Sequence, residues 1–163
     1  MRIGILSDTH DQLPMIDAAV EFYRQKSVEH VIHAGDFIAP FSVKRLKAVA
    51  CPVTAVFGNN DGEKEGIRKA FGDWGSVHER VARITLAGRR IVVVHEPDFV
   101  EEAAASGMCD VVVYGHSHGS DIREVGSCLV VNPGGCGGVP DCDPTCVLLD
   151  LDTMKAKLKT LNH

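Results

Sequence analysis

No apolar run in the sequence approaches the roughly 18 residues that a membrane helix needs. Met1 to Leu6 is too short for the apolar core of an export signal and runs straight into polar Ser7-Asp8-Thr9-His10. A cytoplasmic protein without membrane association is therefore expected. Positive charge is also short: 17 Lys and Arg face 22 Asp and Glu, a formal net charge of -5. That balance excludes a broad basic face for nucleic-acid backbones. The two-residue cysteine spacing of structural zinc sites is missing. Cys51, Cys109 and Cys128 sit beside apolar runs and read as small core residues, while Cys136, Cys142 and Cys146 lie in a Gly/Pro/Asp-rich stretch. Without an export signal, reduced thiols are expected. No Gly-x-Ser-x-Gly nucleophile motif, internal repeat or long linker occurs.

What is present fits one domain over residues 1–163, with 45% hydrophobic and 24% charged residues. Arg2 to Leu6, Val28 to His33 and Val53 to Phe57 read as buried strands. Helices are expected between and after them: Leu13 to Gln25 with Asp11 as a cap, Pro40 to Lys47, and Glu63 to Phe71. This rhythm predicts a parallel sheet flanked by helices. Later, Val81 to Leu86 and Arg90 to Val94 read as a hairpin, and Pro97 to Ser106 as a helix. Val111 to Tyr114, Asp121 to Val125, Cys128 to Val131, Val147 to Leu151 and Lys155 to Leu161 read as mostly antiparallel strands. Lys155, Lys157 and Lys159 share one solvated strand face. The expected α/β architecture is two stacked sheets with helices outside.

The chemistry-bearing residues follow apolar runs. Asp8 and His10 follow the first, Asp36 the second, Asn59 the third; His95 follows Val92-Val93-Val94, and His116 and His118 follow Val113-Tyr114. Ligands bind outside the carboxyl ends of strands in open α/β sheets, so five strand ends on one sheet edge would converge. Two divalent ions about 3.5–4 Å apart need a shared anion between them. Asp36 is the residue expected to bridge. Imidazole and carboxylate donors suit manganese, iron, zinc, nickel or cobalt. Gly35, Gly58 and Gly115 are expected to let the backbone turn beside the site. His30, His78 and His163 end no apolar run and read as surface residues, while His33 reads either as support for Asp36 or as a packed polar residue.

The ordered set Asp8-Thr9-His10, Gly35-Asp36, Gly58-Asn59-Asn60-Asp61, His95 and Gly115-His116-Ser117-His118 resembles the calcineurin-like metallophosphoesterases. The likeness is to their small single-domain prokaryotic phosphodiesterase branch, and it continues through Asn132-Pro133-Gly134. The resemblance implies a four-layered α/β/β/α sandwich with two mixed sheets. It implies one divalent metal on Asp8, His10, Asp36 and His118, and a second on Asp36, Asn59, His95 and His116. Manganese stands first, with nickel, iron, zinc, cobalt or magnesium as alternatives. The reaction implied is hydrolysis of a small phosphate-ester substrate, a diester first, by in-line attack of a hydroxide held between the metals. Asp36, Asn59 and Asn60 are the expected catalytic residues, and a homodimer is plausible by the same resemblance. The alternatives are a phosphomonoesterase or nucleotidase, and a non-catalytic protein-binding scaffold on the same fold. A zinc-dependent amidohydrolase would want a different histidine order. Two positions depart from the family pattern. Asn60 stands where many relatives carry a histidine thought to protonate the leaving group, and Glu96 follows His95 where glycine is common.

Overall fold

A computed structural model describes residues 1–138 and 142–162. The expected surface position of His163 lies outside these residues. Along the first half, β1 (Arg2–Leu6), α1 (Leu13–Gln25), β2 (His30–His33), α2 (Pro40–Leu46), β3 (Val53–Val56), α3 (Lys64–Phe71) and β4 (Gly75–His78) follow in order. The second half gives β5 (Ala82–Leu86), β6 (Arg89–Val93), α4 (Val100–Ala105), β7 (Val111–Val113), β8 (Ser120–Val125), β9 (Cys128–Pro133), β10 (Thr145–Asp150) and β11 (Lys155–Thr160).

These strands form two mixed sheets. One runs β11-β10-β1-β2-β3-β4, with β1 to β4 parallel and β10 and β11 antiparallel. The other runs β5-β6-β7-β9-β8, with β6, β7 and β9 parallel. Strands β2 and β3 are buried throughout because both faces of their sheet are covered.

Three apolar layers hold the sandwich together. Met15, Ile16, Ala19 and Tyr23 of α1 recur at helical spacing and pack on the outer face of the first sheet with Val43, Leu46, Ile67 and Phe71. Ile3, Ile5, Ile32 and Val56 meet Ile91, Val93, Val111, Val113 and Val131 between the sheets. Val100 and Ala104 of α4 cover Val112 and Val130 on the far face. Helices, sheet, sheet and helix therefore stack as the family resemblance implies. Each fully buried Ile or Val contributes on the order of 1.5–3 kcal/mol.

Three local expectations change. Asp11 does not cap α1. Its Oδ1 accepts from the Ala39 N–H at 3.2 Å and the Ser42 hydroxyl at 2.5 Å, so it fastens the start of α2. His30 is not a surface residue. It is buried in β2, bonded to Thr54 Oγ1 at 2.9 Å, and burial lowers its pKa. The edge strand β4 was not anticipated, since Gly-Ser-Val-His shows no apolar run and every residue stays partly exposed. Cys109, Cys128, Cys136 and Cys146 are buried free thiols, Cys51 is a half-buried one, and Cys142 is half-buried.

Candidate metal centre

The site sits where β1, β2, β3, β6 and β7 end, all at the same end of the sandwich. Asp8 and His10 follow β1, Asp36 follows β2, and Asn59, Asn60 and Asp61 follow β3. His95 follows β6, and His116 and His118 follow β7. Three of these strands belong to one sheet and two to the other. The single sheet edge expected from the sequence is therefore corrected: the donors face one another across the two sheets.

Asp36 is buried near the centre. Its Oδ1 accepts from the Asn60 N–H at 2.9 Å and its Oδ2 from the Asn60 amide at 2.8 Å. His95 Nε2 lies 3.5 Å from Oδ2 and His10 Nε2 3.7 Å from the same oxygen. Burial raises this carboxyl, but the imidazole of His95 and the Asn60 donors outweigh it and hold Asp36 well below the usual range. Asp8 is buried too. Its Oδ2 accepts from the Ser7 hydroxyl at 2.5 Å and the His116 N–H at 3.1 Å. Burial opposes ionisation of Asp8, yet His10 and Ser7 carry its pKa below the ordinary value.

The histidines turn ring nitrogens into this cluster. His95 Nδ1 donates to the Ala34 carbonyl at 2.7 Å, and its Nε2 lies 2.9 Å from Asn59 Oδ1. The same Asn59 oxygen lies 2.9 Å from His116 Nδ1. His10 Nε2 and His118 Nε2 meet at 3.2 Å. Burial lowers the His95 pKa, but Asp36 more than offsets it; the carboxylate of Asp8 raises His10.

These residues fit divalent cations. Asp8 Oδ1 is buried and accepts no hydrogen bond, while His118 Nε2 lies 3.3 Å and His10 Nε2 3.7 Å from it. Carboxylate oxygens and imidazole nitrogens that converge at such distances form a donor set for a positive charge. Asp8, His10 and His118 form one group able to hold an ion; Asp8, Asp36 and His95 form another.

Residues around the donors hold them in place. Asp61 closes the expected Gly-Asn-Asn-Asp motif, and its carboxylate accepts three backbone N–H groups: Asp36 at 3.0 Å, Gly58 at 2.8 Å and Ile38 at 2.8 Å. His33 fills both roles considered for it. Its Nδ1 accepts from the Gly35 N–H, leaving Nε2–H to donate to Thr9 Oγ1 at 3.1 Å, which in turn donates to the Asp36 carbonyl. Its ring also stacks on Phe37 with centroids 3.6 Å apart. Among the glycines, Gly35 turns with φ +99°, whereas Gly58 serves close approach: a methyl there would land on the Asp36 carboxylate.

The model of the calcineurin-like phosphoesterase superfamily domain matches residues 1–154. The chain belongs to that superfamily. Within it, phosphodiesterase MJ0936 of Methanocaldococcus jannaschii is 36% identical over 156 residues, covering 93% of this chain and 94% of that protein. Phosphodiesterase YfcE of Escherichia coli is 28% identical over 148 residues, covering 82% and 78%. A solved archaeal phosphodiesterase structure matches with a TM-score of 0.93 at 34% identity, over 99% of this chain and 100% of that one.

Proposed function

We propose that the chain is a metal-dependent phosphodiesterase of two divalent ions, manganese first, acting on a small phosphate ester. Asp8, His10, Asp36 and His118 would hold one ion, and Asp36, Asn59, His95 and His116 the other. The observation that carries this reading is the buried Asp8 Oδ1, without a donor and faced by two imidazoles, beside a central Asp36. When bound, the cations supply positive charge that neutralises phosphoryl oxygens and acidifies a water for in-line displacement at phosphorus.

The chain's own residues position and polarise. Asn60 locks both oxygens of Asp36 and so orients the carboxylate between the two histidine sets. The Ala34 carbonyl fixes the tautomer of His95, and Ser7 fixes Asp8. Asn59 turns its oxygen to His95 and His116, which leaves its amide N–H groups to donate to a phosphoryl oxygen. With Asn60 committed to Asp36, no histidine stands there to protonate the leaving group, so esters of acidic alcohols and phenols are favoured.

No helix among the described residues is long and apolar enough to cross a membrane. A binding scaffold would not need the whole donor set that meets here. The test uses protein stripped by chelator and reloaded with manganese, assayed on bis(p-nitrophenyl) phosphate and on p-nitrophenyl phosphate. Turnover should return with metal and favour the diester. Asp36→Asn should lower kcat by about 100-fold or more while the circular dichroism spectrum is kept. Wild-type turnover in Asp36→Asn, or in stripped protein, would sink the reading; preference for the monoester would make the chain a phosphomonoesterase.

A further inference from the structure

A cleft of about 310 Å3 opens beside His95 and is lined by Phe57, Lys64, Glu79, Arg80, Glu96 and Phe99. It is walled by the segments that follow β3, β4 and β6, and His95 itself is part of its lining. Its volume is at the small end for ligand sites, room for one ring rather than an extended chain.

Two features decide what the cleft accepts. The first is aromatic. Phe57 is buried, and its ring is already taken: Lys64 Nζ lies 5.0 Å and the Arg68 guanidinium 4.9 Å from its centroid. Phe99 is 41% exposed at the N-cap of α4, whose inward face is carried by Val100 and Ala104. Its ring is the open apolar surface of the wall.

The second feature is charge. Lys64 pairs with Glu79 at 3.2 Å and Arg80 with Glu96 at 3.8 Å. Arg68, behind Phe57, is matched by Glu65 at 3.6 Å and also reaches Glu79. The lining carries no surplus positive charge, so a second phosphate or carboxylate finds no unmatched cation. Glu96 stands directly after His95, and its carboxylate repels such a group.

We propose that this cleft receives a neutral, ring-bearing ester arm of the substrate, with Phe99 as its platform and Glu96 excluding arms that carry further negative charge. The proposal rests on the phosphoesterase reading above and names the substrate class for it: mononegative diesters with an aryl or single-base arm, rather than polyphosphates. The departure from glycine at position 96 thereby gains a role in specificity.

Three diesters that differ in one arm test this: dimethyl phosphate, methyl phenyl phosphate and methyl 4-carboxyphenyl phosphate. Each is measured as an inhibitor of bis(p-nitrophenyl) phosphate hydrolysis by the manganese-loaded enzyme. Each is also titrated into metal-free 15N-labelled protein while amide shifts are followed. Methyl phenyl phosphate should bind about three- to tenfold more tightly than dimethyl phosphate, the range of an aromatic contact. Phe99→Ala should erase that advantage and Phe99→Tyr keep it. Glu96→Gln should raise the affinity of the carboxyphenyl ester toward that of the phenyl ester. In the metal-free protein, shifts at residues 96 and 99 should require the ring. Equal inhibition by the methyl and phenyl esters, or a ring advantage that survives Phe99→Ala, overturns the proposal. If no metal restores turnover, the phosphoesterase reading fails on its own, and the amide shifts decide the cleft: ring-dependent shifts support it, and shifts that are absent or equal for dimethyl phosphate overturn it.

Discussion

Five residues that meet in the centre hold backbone angles that most side chains avoid. Asp8, His10, Asp36, His116 and His118 have φ of 53°, 42°, 62°, 69° and 58°. Left-handed positions are sparsely populated outside glycine, although Asp, Asn and His tolerate them better than most. Each costs on the order of 1 kcal/mol or more and persists only where surrounding structure enforces it. Sequence named these residues by type and order; it carried no sign of this backbone. Nor did it decide the role of His33, whose partners Thr9, Gly35 and Phe37 are brought together only by folding. Burial pushes the His33 imidazole down to about 3, against about 6.5 in an unfolded chain. Between those values the unfolded chain holds the extra proton, so stability rises with pH there. This contribution is complete above about pH 6.5 and is lost as pH falls toward 3. Urea midpoints of metal-free protein should therefore drop between pH 6.5 and 4. His33→Gln should show a shallower decline, by up to about 1.4 kcal/mol per pH unit. Equal slopes in the two proteins would remove His33 as the cause.

Elements with strong periodicity were legible. The limits of α1 match the expected Leu13 to Gln25, and the buried strands β1, β2 and β3 fall inside the apolar runs. Strand β4 was not legible because pairing with β3 defines it, not its own residues. The loops after β2 and β3 show the same dependence on tertiary structure. Asp61 ties them by accepting N–H groups from both, and nothing in its own spacing distinguishes that task from metal binding. Asp61→Ala would leave three backbone donors without their acceptor, at a cost of about 2–4 kcal/mol. We expect a lower urea midpoint together with weaker manganese binding by calorimetry, because Asp36 loses its anchor. Loss of stability with unchanged metal affinity would show that the loop holds Asp36 without Asp61.

At the scale of the molecule, the layer order was legible and the placement of the donors was not. Alternating strands and helices predict covered sheets, and the three apolar clusters match that pattern. The sharing of donors between sheets follows from β6 and β7 running parallel beside β9, an order that periodicity does not specify. On the reading proposed above, an ion on Asp8, His10, Asp36 and His118, and one on Asp36, Asn59, His95 and His116, would each link one sheet to the other. Binding only the folded state, manganese at a hundredfold excess over Kd should add about 2.7 kcal/mol. For a chain of this length that raises Tm by roughly 5–10 °C, and chelator should reverse it. A melting curve indifferent to metal would speak against cations linking the sheets.

The donors' division between two leaves gives remote hydrocarbon a say in coordination. Val113 and Ile32 pack between the leaves, and shaving methyls from either is expected to change how far apart they ride, and with it the bite presented to an ion. Metal preference in this chain is thus open to tuning from positions that never touch a ligand.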